Sequence, residues 1–151
     1  MTIRLLLADD HPVVRAGLRA VLDTEPDFAV VAEAATAERA VELAAAEAVD
    51  VVLMDLQFGT GMHGSAATAA ITARPGAPRV LVLTTYDTDA DILAAVEAGA
   101  SGYLLKDAPP EELAAAVRTA AAGQSALAPA VALRLMDRML ETSVGPWLHD
   151  L

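Results

Sequence analysis

Short apolar runs alternate with longer segments rich in alanine and leucine, and this unit occurs five times before residue 124. The runs are continuous stretches of apolar and β-branched residues, as in strands buried on both faces. Strands are predicted at residues 3–8, 28–32, 51–55, 79–84 and 102–105. Because a helical segment follows each strand after a short loop, we expect a parallel sheet covered by helices on both faces.

The segments between the strands carry helix start and stop signals. Pro12 opens the first helix, where its missing N–H has no helical partner to lose. Thr36 is predicted to cap the second helix, and Glu38 and Glu42 lie near that helix's positive end. Helices are predicted at residues 12–24, 37–47, 65–73, 89–98 and 109–122. The prediction is an α/β fold with a doubly wound (βα)5 sheet; the strand order 2-1-3-4-5 is adopted by analogy with flavodoxin-like proteins.

The pattern changes after residue 123. Residues 129–141 are typical of one amphipathic helix, and residues 143–151 show no period. We therefore expect one folded domain over residues 1–123, followed by a linker helix and a tail over residues 124–151.

Composition excludes several classes of function. The net charge of −11 argues against direct binding of DNA or RNA by this chain, because phosphate contacts need a basic surface. With no cysteine, the chain has no disulfide framework and no thiolate metal site. The sequence has no apparent signal peptide and no apolar stretch long enough to span a membrane, so we expect a cytoplasmic protein.

Polar side chains stand where four of the predicted strands end. Asp9 and Asp10 follow the first strand, Asp55 ends the third, Thr84 ends the fourth and Lys106 follows the fifth. The carboxyl ends of parallel strands share one edge of the sheet, where ligands bind. Carboxylates suit Mg²⁺, and a metal, a lysine and a hydroxyl together can neutralise a phosphoryl group.

Each of these residues has an ordinary alternative when taken singly. One aspartate after the first strand could cap a helix, and Asp55 could begin a loop. Thr84 could simply favour a strand, Lys106 could be a solvated charge, and Tyr103 could be a packed aromatic. The combination favours a shared site, because adjacent carboxylates repel unless a cation relieves them.

Three segments carry a family resemblance: residues 7–18 (LADDHPVVRAGL), 53–56 (LMDL) and 98–107 (AGASGYLLKD). Together they resemble the receiver domain of bacterial two-component response regulators, of the NarL/LuxR-type branch, over about residues 2–123. The resemblance implies that Asp55 accepts a phosphoryl group from a sensor histidine kinase. It also implies that Asp10, Asp55 and the backbone carbonyl of Gln57 bind Mg²⁺, with Asp9 acting through a metal-bound water.

The same resemblance implies a switch. Lys106 would pair with the phosphoryl group, Thr84 would hydrogen-bond it, and Tyr103 would change rotamer together with Thr84. The surface of the fourth and fifth helices and the fifth strand would then report the state to partners. It also implies a possible homodimer through the first and fifth helices, and a protein that is not an enzyme but only assists its own phosphotransfer and dephosphorylation.

Two departures from the family pattern stand out. Many receivers carry Met-Pro-Gly after the acceptor strand, whereas residues 58–64 here form a glycine-rich loop that must set the carbonyl of Gln57. Lys106 is followed by Asp107 rather than proline, as in many NarL-type members. We expect His11, beside the acidic pair, to begin the first helix and to point outward rather than to bind metal.

Other functions fit the sequence less well. An aspartyl phosphohydrolase usually carries Asp-x-Asp after its first strand, and a nucleotide or flavin binder needs a glycine-rich turn there. A pseudo-receiver that acts by protein contacts alone remains an alternative. NarL-type regulators continue into a basic helix-turn-helix domain, and residues 124–151 are too few for one. Transcription control and DNA binding are therefore expected only through such a C-terminal domain.

Overall fold

The computed structural model describes residues 2–59, 61–84, 89–124 and 126–127. Its elements are β1 (Ile3–Ala8), α1 (Pro12–Asp23), β2 (Phe28–Ala34), α2 (Ala37–Ala46), β3 (Val51–Asp55), α3 (Gly64–Thr72), β4 (Arg79–Thr84), α4 (Asp89–Glu97), β5 (Gly102–Leu105), α5 (Pro110–Ala121) and β6 (Ala126–Leu127). The helix expected over residues 129–141 and the tail expected after it lie outside the described residues.

All strand pairs in the sheet are parallel, and the order is β2-β1-β3-β4-β5-β6. The first five strands confirm the predicted order 2-1-3-4-5. The short β6 was not predicted: α5 ends near Gly123, whose φ of 81° turns the chain back, and two residues then pair with β5. A pairing of two residues is too short to produce a periodic pattern in the sequence.

Helices cover both faces of the sheet, as predicted. Leu5 and Leu7 of β1 point to one face, where they pack with buried residues of α1 and α5. Leu6 and Ala8 point to the other face, where α2, α3 and α4 contribute the buried residues. The alternation follows from the period of two along a strand, and burial of both faces explains why residues 5–8 of β1 and 51–54 of β3 are all apolar.

The second strand is two residues longer than predicted. Glu33 and Ala34 continue β2 and pair with Leu7 and Ala8, after a register shift between Leu5 and Leu6. Glutamate is uncommon in strands, which is why the sequence suggested an earlier end. On this edge strand the Glu33 carboxylate instead reaches arginines of α1, with 3.0 Å between its Oε1 and Arg15 Nε.

The helix ends lie within about two residues of their predicted positions. Thr36 caps α2 as predicted, since its Oγ1 accepts the Arg39 N–H at 3.1 Å. The N-cap of α1 is His11 rather than either aspartate. In the described part of the chain, no helix is both long and apolar enough to cross a bilayer.

Candidate functional site

The register of the parallel strands brings the predicted site residues to one edge of the sheet. Ala8 pairs with Met54, so the residues that follow them, Asp9 and Asp55, lie side by side. Thr84 pairs with Leu105 at the end of β4, and its carbonyl accepts the Lys106 N–H at 2.8 Å. Sequence order alone placed these residues at strand ends; the pairing places them next to one another.

Lys106 bridges two buried carboxylates. Its Nζ lies 2.7 Å from Asp9 Oδ2 and 3.1 Å from Asp55 Oδ2. Asp9 and Asp55 are only 2% and 3% exposed. Such a triad places one positive charge between two negative charges where water screens little.

Burial and ion pairing both shift the pKa values of Asp55 and Lys106. Loss of hydration raises the pKa of Asp55 above its ordinary value, although the Gln57 N–H and Lys106 oppose this shift. For Lys106, burial acts against the ammonium, but the hydrogen bond to Asp9 and the charge of Asp55 outweigh it and raise its pKa. The ammonium therefore stays charged, while Asp55 is a carboxylate held in a less favourable environment than water.

Each of the three carboxylates has one oxygen that accepts a hydrogen bond from the backbone. The Asp9 Oδ1 accepts the His11 N–H at 2.8 Å, and the Asp55 Oδ1 accepts the Gln57 N–H at 3.1 Å. The Asp10 Oδ2 accepts the Gly59 N–H at 2.8 Å, across a sequence separation of 49 residues. These bonds orient all three side chains towards one point above the sheet edge.

Two carboxylate oxygens of this cluster, Asp10 Oδ1 and Asp55 Oδ2, are buried and have no hydrogen-bond partner among the residues that the structure describes. Lys106 Nζ is close to Asp55 Oδ2, and His11 Nδ1 is 2.9 Å from Asp10 Oδ1, but neither contact is aligned as a hydrogen bond. Buried polar atoms normally have partners, so such a pair suits a bound cation. Ligand atoms of Asp9, Asp10, His11 and Asp55 all lie within 4.8 Å of one another, and this cluster can hold a metal ion.

His11 is more involved than the sequence indicated. It begins α1 and its side chain is largely exposed, yet its ring nitrogen contacts the free oxygen of Asp10. An imidazole next to two carboxylates helps to neutralise them when protonated. Oxygen ligands alone still satisfy Mg²⁺, which prefers them to imidazole.

Thr84 and Tyr103 lie deeper than the carboxylates. Both are fully buried, with Thr84 at the end of β4 and Tyr103 packed in the core on the face covered by α2, α3 and α4. The side chain of Gln57 is exposed, while its N–H bonds the Asp55 carboxylate. The roles that the resemblance implies for these three residues stay predictions.

Two residues near the site were not identified from the sequence. Arg15 of α1 donates a hydrogen bond to the backbone carbonyl of Asp9, and Glu38 of α2 accepts the Met62 N–H at 3.0 Å. Arg15 lies inside the segment that carries the family resemblance, and the position of Glu38 in the first turn of α2 predicts only an interaction with the helix dipole. Neither contact could be predicted, because both depend on how helices pack against loops distant in sequence.

Known proteins are similar to this chain in sequence and in fold. The sequence model of the family described as response regulator receiver domain matches residues 5–118. The transcriptional regulatory protein LiaR of Bacillus subtilis is 38% identical over 148 residues, which cover 98% of this chain and 70% of LiaR. The nitrate/nitrite response regulator protein NarP of Escherichia coli is 37% identical over 135 residues, which cover 89% of this chain and 62% of NarP.

A crystal structure of a two-component response regulator of the LuxR family, from an Aurantimonas species, has a TM-score of 0.86 and 41% identity to this chain. The match covers 93% of this chain and 100% of that one. Several curated relatives, NarP among them, are longer, so that this chain spans less than two thirds of their length. The chain belongs to the response-regulator receiver family, and its relatives are regulators of the NarL and LuxR type.

Proposed function

We propose that this domain is a phosphorylation-dependent signalling switch, in which Asp55 accepts a phosphoryl group from a sensor histidine kinase. The observation that carries the proposal is the buried triad, in which the Asp55 and Asp9 carboxylates share the Lys106 ammonium. Two buried carboxylate oxygens without hydrogen bonds lie in the same cluster. A structural ion-pair network would not normally leave buried acceptors unsatisfied.

In the proposed reaction a carboxylate oxygen of Asp55 attacks the phosphorus. The new O–P bond forms as the P–N bond to the kinase histidine breaks, and the imidazole leaves with that electron pair. The Gln57 N–H keeps the carboxylate oriented during the attack. Lys106, already 3.1 Å from the Asp55 carboxylate, is placed to pair with the incoming phosphoryl oxygens.

We propose Mg²⁺ as the metal, because the cluster offers hard carboxylate oxygens and no thiolate. Asp10 and Asp55 would hold it directly, Asp9 through water, and the Gln57 carbonyl would complete the protein ligands. When bound, the ion would neutralise charge on the transferring phosphoryl group.

The output is proposed to pass through Thr84 and Tyr103. Thr84 would hydrogen-bond a phosphoryl oxygen, and Tyr103 would change rotamer with it, altering the surface formed by α4, β5 and α5. The two side chains occupy adjacent strands, β4 and β5, with Thr84 nearer the site. Because both are fully buried, a change at one must be accommodated by its packed neighbours, which is how a local charge can bias a two-state element.

The whole protein is proposed to control transcription in the cytoplasm. LiaR is named a transcriptional regulatory protein, and the relatives that are longer than this chain leave room for an output domain. With a net charge of −11, the present chain is a poor DNA ligand, so DNA would be contacted through that further domain. The domain would not turn over an external substrate; it would only assist its own phosphorylation and dephosphorylation.

A homodimer through α1 and α5 is also proposed. An apolar groove between these helices is lined mainly by residues of both, including Val14, Leu18 and Leu113. Val13, on α1, is 85% exposed. Burying such a surface against a second copy would remove apolar area from water.

The function is tested by incubating the protein with acetyl phosphate and MgCl2 and measuring intact mass. We expect one added phosphoryl group that is labile in base, as an acyl phosphate is. The Asp55→Asn variant and the EDTA-treated protein should show none. Asp50→Asn is the matched control, because Asp50 lies just before β3, at its opposite end, where it accepts the Arg4 N–H at 2.8 Å.

Three results would separate the alternatives. Uptake that survives Asp55→Asn would place the acceptor elsewhere. No uptake by the wild type, from either acetyl phosphate or a phosphorylated histidine kinase, would favour a pseudo-receiver. Continuous release of inorganic phosphate from a phosphate ester over many turnovers would indicate a phosphohydrolase.

A further inference from the structure

The glycine-rich loop between β3 and α3 is fastened by a side chain from α2. Glu38, in the first turn of α2, accepts the Met62 N–H through its Oε1 at 3.0 Å, across 24 residues of sequence. Gly61 lies against the same carboxylate: a Cβ at that position would be 2.8 Å from Glu38 Oε2. With a φ of +76°, Gly61 adopts a backbone conformation that other residues rarely take. The loop and the Glu38 carboxylate are therefore closely fitted.

The other half of the loop is fastened by a residue of the metal cluster. The Gly59 N–H donates to Asp10 Oδ2 at 2.8 Å, and the preceding Phe58 is buried, with 4% of its surface exposed. Glu38 and Asp10 thus hold the loop on the two sides of residue 60. The hydrogen bond to Gly59 also decides where the second oxygen of Asp10 points, and that oxygen is one of the two buried acceptors without a hydrogen bond.

We propose that Glu38 is a positioning residue for the metal site, which it serves by holding the loop that orients Asp10. The proposal rests on the proposed function, because it assumes that the acidic cluster binds Mg²⁺. Glu38 is not one of the four clustered residues and contributes no ligand. Its effect passes through the loop backbone: Met62 is held by Glu38, Gly59 is held against Asp10, and Asp10 keeps its free oxygen in the cluster.

This arrangement restrains the loop, which lacks the proline that many receivers carry there. Proline restricts the backbone by its own ring, whereas glycine leaves the chain many conformations to lose on ordering. Here hydrogen bonds to two carboxylates supply the restraint from outside the loop. Hydrogen bonds to charged acceptors are stronger than those to neutral ones, which suits them to hold a flexible segment.

The test compares Glu38→Ala and Glu38→Gln with the matched control Glu42→Ala. Glu42 lies one turn further along α2, is exposed and pairs with Arg39, so its removal deletes the same charge without touching the loop. Two measurements are made on the full chain without phosphorylation: amide hydrogen exchange over residues 57–64, and calorimetric titration with MgCl2. Phosphoryl uptake from acetyl phosphate is then followed as a function of MgCl2 concentration.

We expect Glu38→Ala to lose protection at Met62 and Gly59 and to weaken Mg²⁺ binding by about tenfold, as for residues that orient metal ligands. Phosphoryl uptake should shift to higher MgCl2 by the same factor and reach the same final extent, because Asp55 is unchanged. Glu38→Gln should keep most of the loop protection and most of the Mg²⁺ affinity of the wild type, since its amide oxygen can still accept the Met62 N–H. Glu42→Ala should match the wild type.

Two results would overturn the proposal: Mg²⁺ affinity in Glu38→Ala equal to that in Glu42→Ala, or a loss of affinity while the loop keeps its protection. These differ from failure of the proposed function, which would show as a wild type that takes up no phosphoryl group. In that case the exchange measurement still decides whether Glu38 holds the loop. If Glu38→Ala unfolds, Glu38→Gln decides the question. A Glu38→Gln variant whose loop is protected as in the wild type, but whose Mg²⁺ affinity is tenfold lower, would contradict a positioning role. That result would indicate that the negative charge of Glu38 itself matters.

Discussion

Asp55 combines burial with a negative charge, and the protein tolerates this through Lys106 and one backbone N–H. The raised pKa of Asp55 means that folding disfavours its ionised form. In the proposed function, the Asp55 oxygen without a hydrogen bond would be the one that forms the new bond to phosphorus. The same feature makes the native carboxylate a source of instability.

Replacing Asp55 by Asn should therefore stabilise the protein in EDTA at pH 7, by roughly 1 kcal/mol, because an uncharged amide is buried at a lower cost than a carboxylate. The folded pKa of Asp55 is raised, so its unfavourable contribution is present above that pKa and absent below the ordinary value of 3.8. Urea denaturation from pH 7 to pH 3 should show the advantage of Asn shrinking as the pH falls. An Asn variant less stable than the wild type at pH 7 would mean that the ion pair with Lys106 stabilises the carboxylate by more than its burial costs.

Removing Lys106 should have the opposite effect. Lys106→Ala leaves the Asp9 and Asp55 carboxylates buried side by side without their shared cation. We expect the free energy of unfolding in EDTA to fall by about 3 kcal/mol, as when one partner of a buried ion pair is removed. Adding MgCl2 should recover part of the loss in urea denaturation. An unchanged free energy of unfolding would show that the triad is hydrated enough to need no cation.

Close packing between elements places the site as much as the charges do. Gly64, the first residue of α3, lies so near β3 that a Cβ there would be 2.1 Å from the Asp55 carbonyl oxygen and 2.8 Å from the Leu56 Cα. Both are backbone atoms, so a flexible side chain cannot relieve the clash. The start of α3 is therefore matched to the end of the strand that carries Asp55.

Gly64→Ala should lower the free energy of unfolding by about 3 kcal/mol, because overpacking against backbone forces the chain apart. Gly17→Ala is the matched control: in the described part of the chain, and apart from the adjoining residues and backbone of α1, no atom lies within 4 Å of a Cβ at Gly17. That variant should be more stable than the wild type by about 0.5–1 kcal/mol, since alanine favours helix. The midpoint temperature of thermal unfolding should fall for Gly64→Ala and rise for Gly17→Ala. Equal shifts would contradict the close approach of Gly64 to β3.

Arg118 joins α5 to the turn before β2. Its guanidinium hydrogen-bonds Glu25 and Asp27, and its Cζ lies 4.9 Å from the centre of the Phe28 ring. The hydrogen bond from Arg118 holds the pKa of Asp27 below its ordinary value. A lowered folded pKa contributes stability above the ordinary value of 3.8, and this is lost as the pH falls through the folded pKa.

Arg118→Ala should thus be less stable than the wild type at pH 7, and the difference should narrow below pH 3.8. Urea denaturation at a series of pH values from 7 to below 3.8 measures this difference in the free energy of unfolding. Arg39→Ala is the control, since Arg39 pairs only with Glu42 of its own helix among the described contacts, and should change little. A difference that persists undiminished in acid would assign the effect to the Phe28 contact rather than to Asp27.

At the scale of the whole molecule, we expect a homodimer, because an apolar groove lies between α1 and α5 and the side chain of Val13 is exposed. Val13→Asp should lower the dimer fraction, because it places a charge in an apolar contact. Light scattering at several protein concentrations, with and without acetyl phosphate, measures the mass. Val96→Asp on α4, also an exposed valine, is the control and should leave the mass unchanged. A wild type that stays monomeric at every concentration would contradict the dimer.

Local sequence patterns determine much of this protein. Short continuous apolar runs and the start and stop signals of helices place five strands and five helices to within about two residues at each end. Because parallel strands end on one edge, the same patterns bring Asp9, Asp55 and Lys106 to one place. The cap at Thr36 follows from its own hydroxyl and the next turn of helix, so it too could be predicted.

Only the tertiary structure decided which atoms meet. The Lys106 bridge between Asp9 and Asp55, the two carboxylate oxygens without hydrogen bonds, and the contact from Glu38 to Met62 depend on distances across the fold. The two extra residues of β2 and the pairing of β6 depend equally on a neighbouring strand. Propensity and periodicity act over a few residues, whereas these contacts are set by how helices and strands distant in sequence pack against one another.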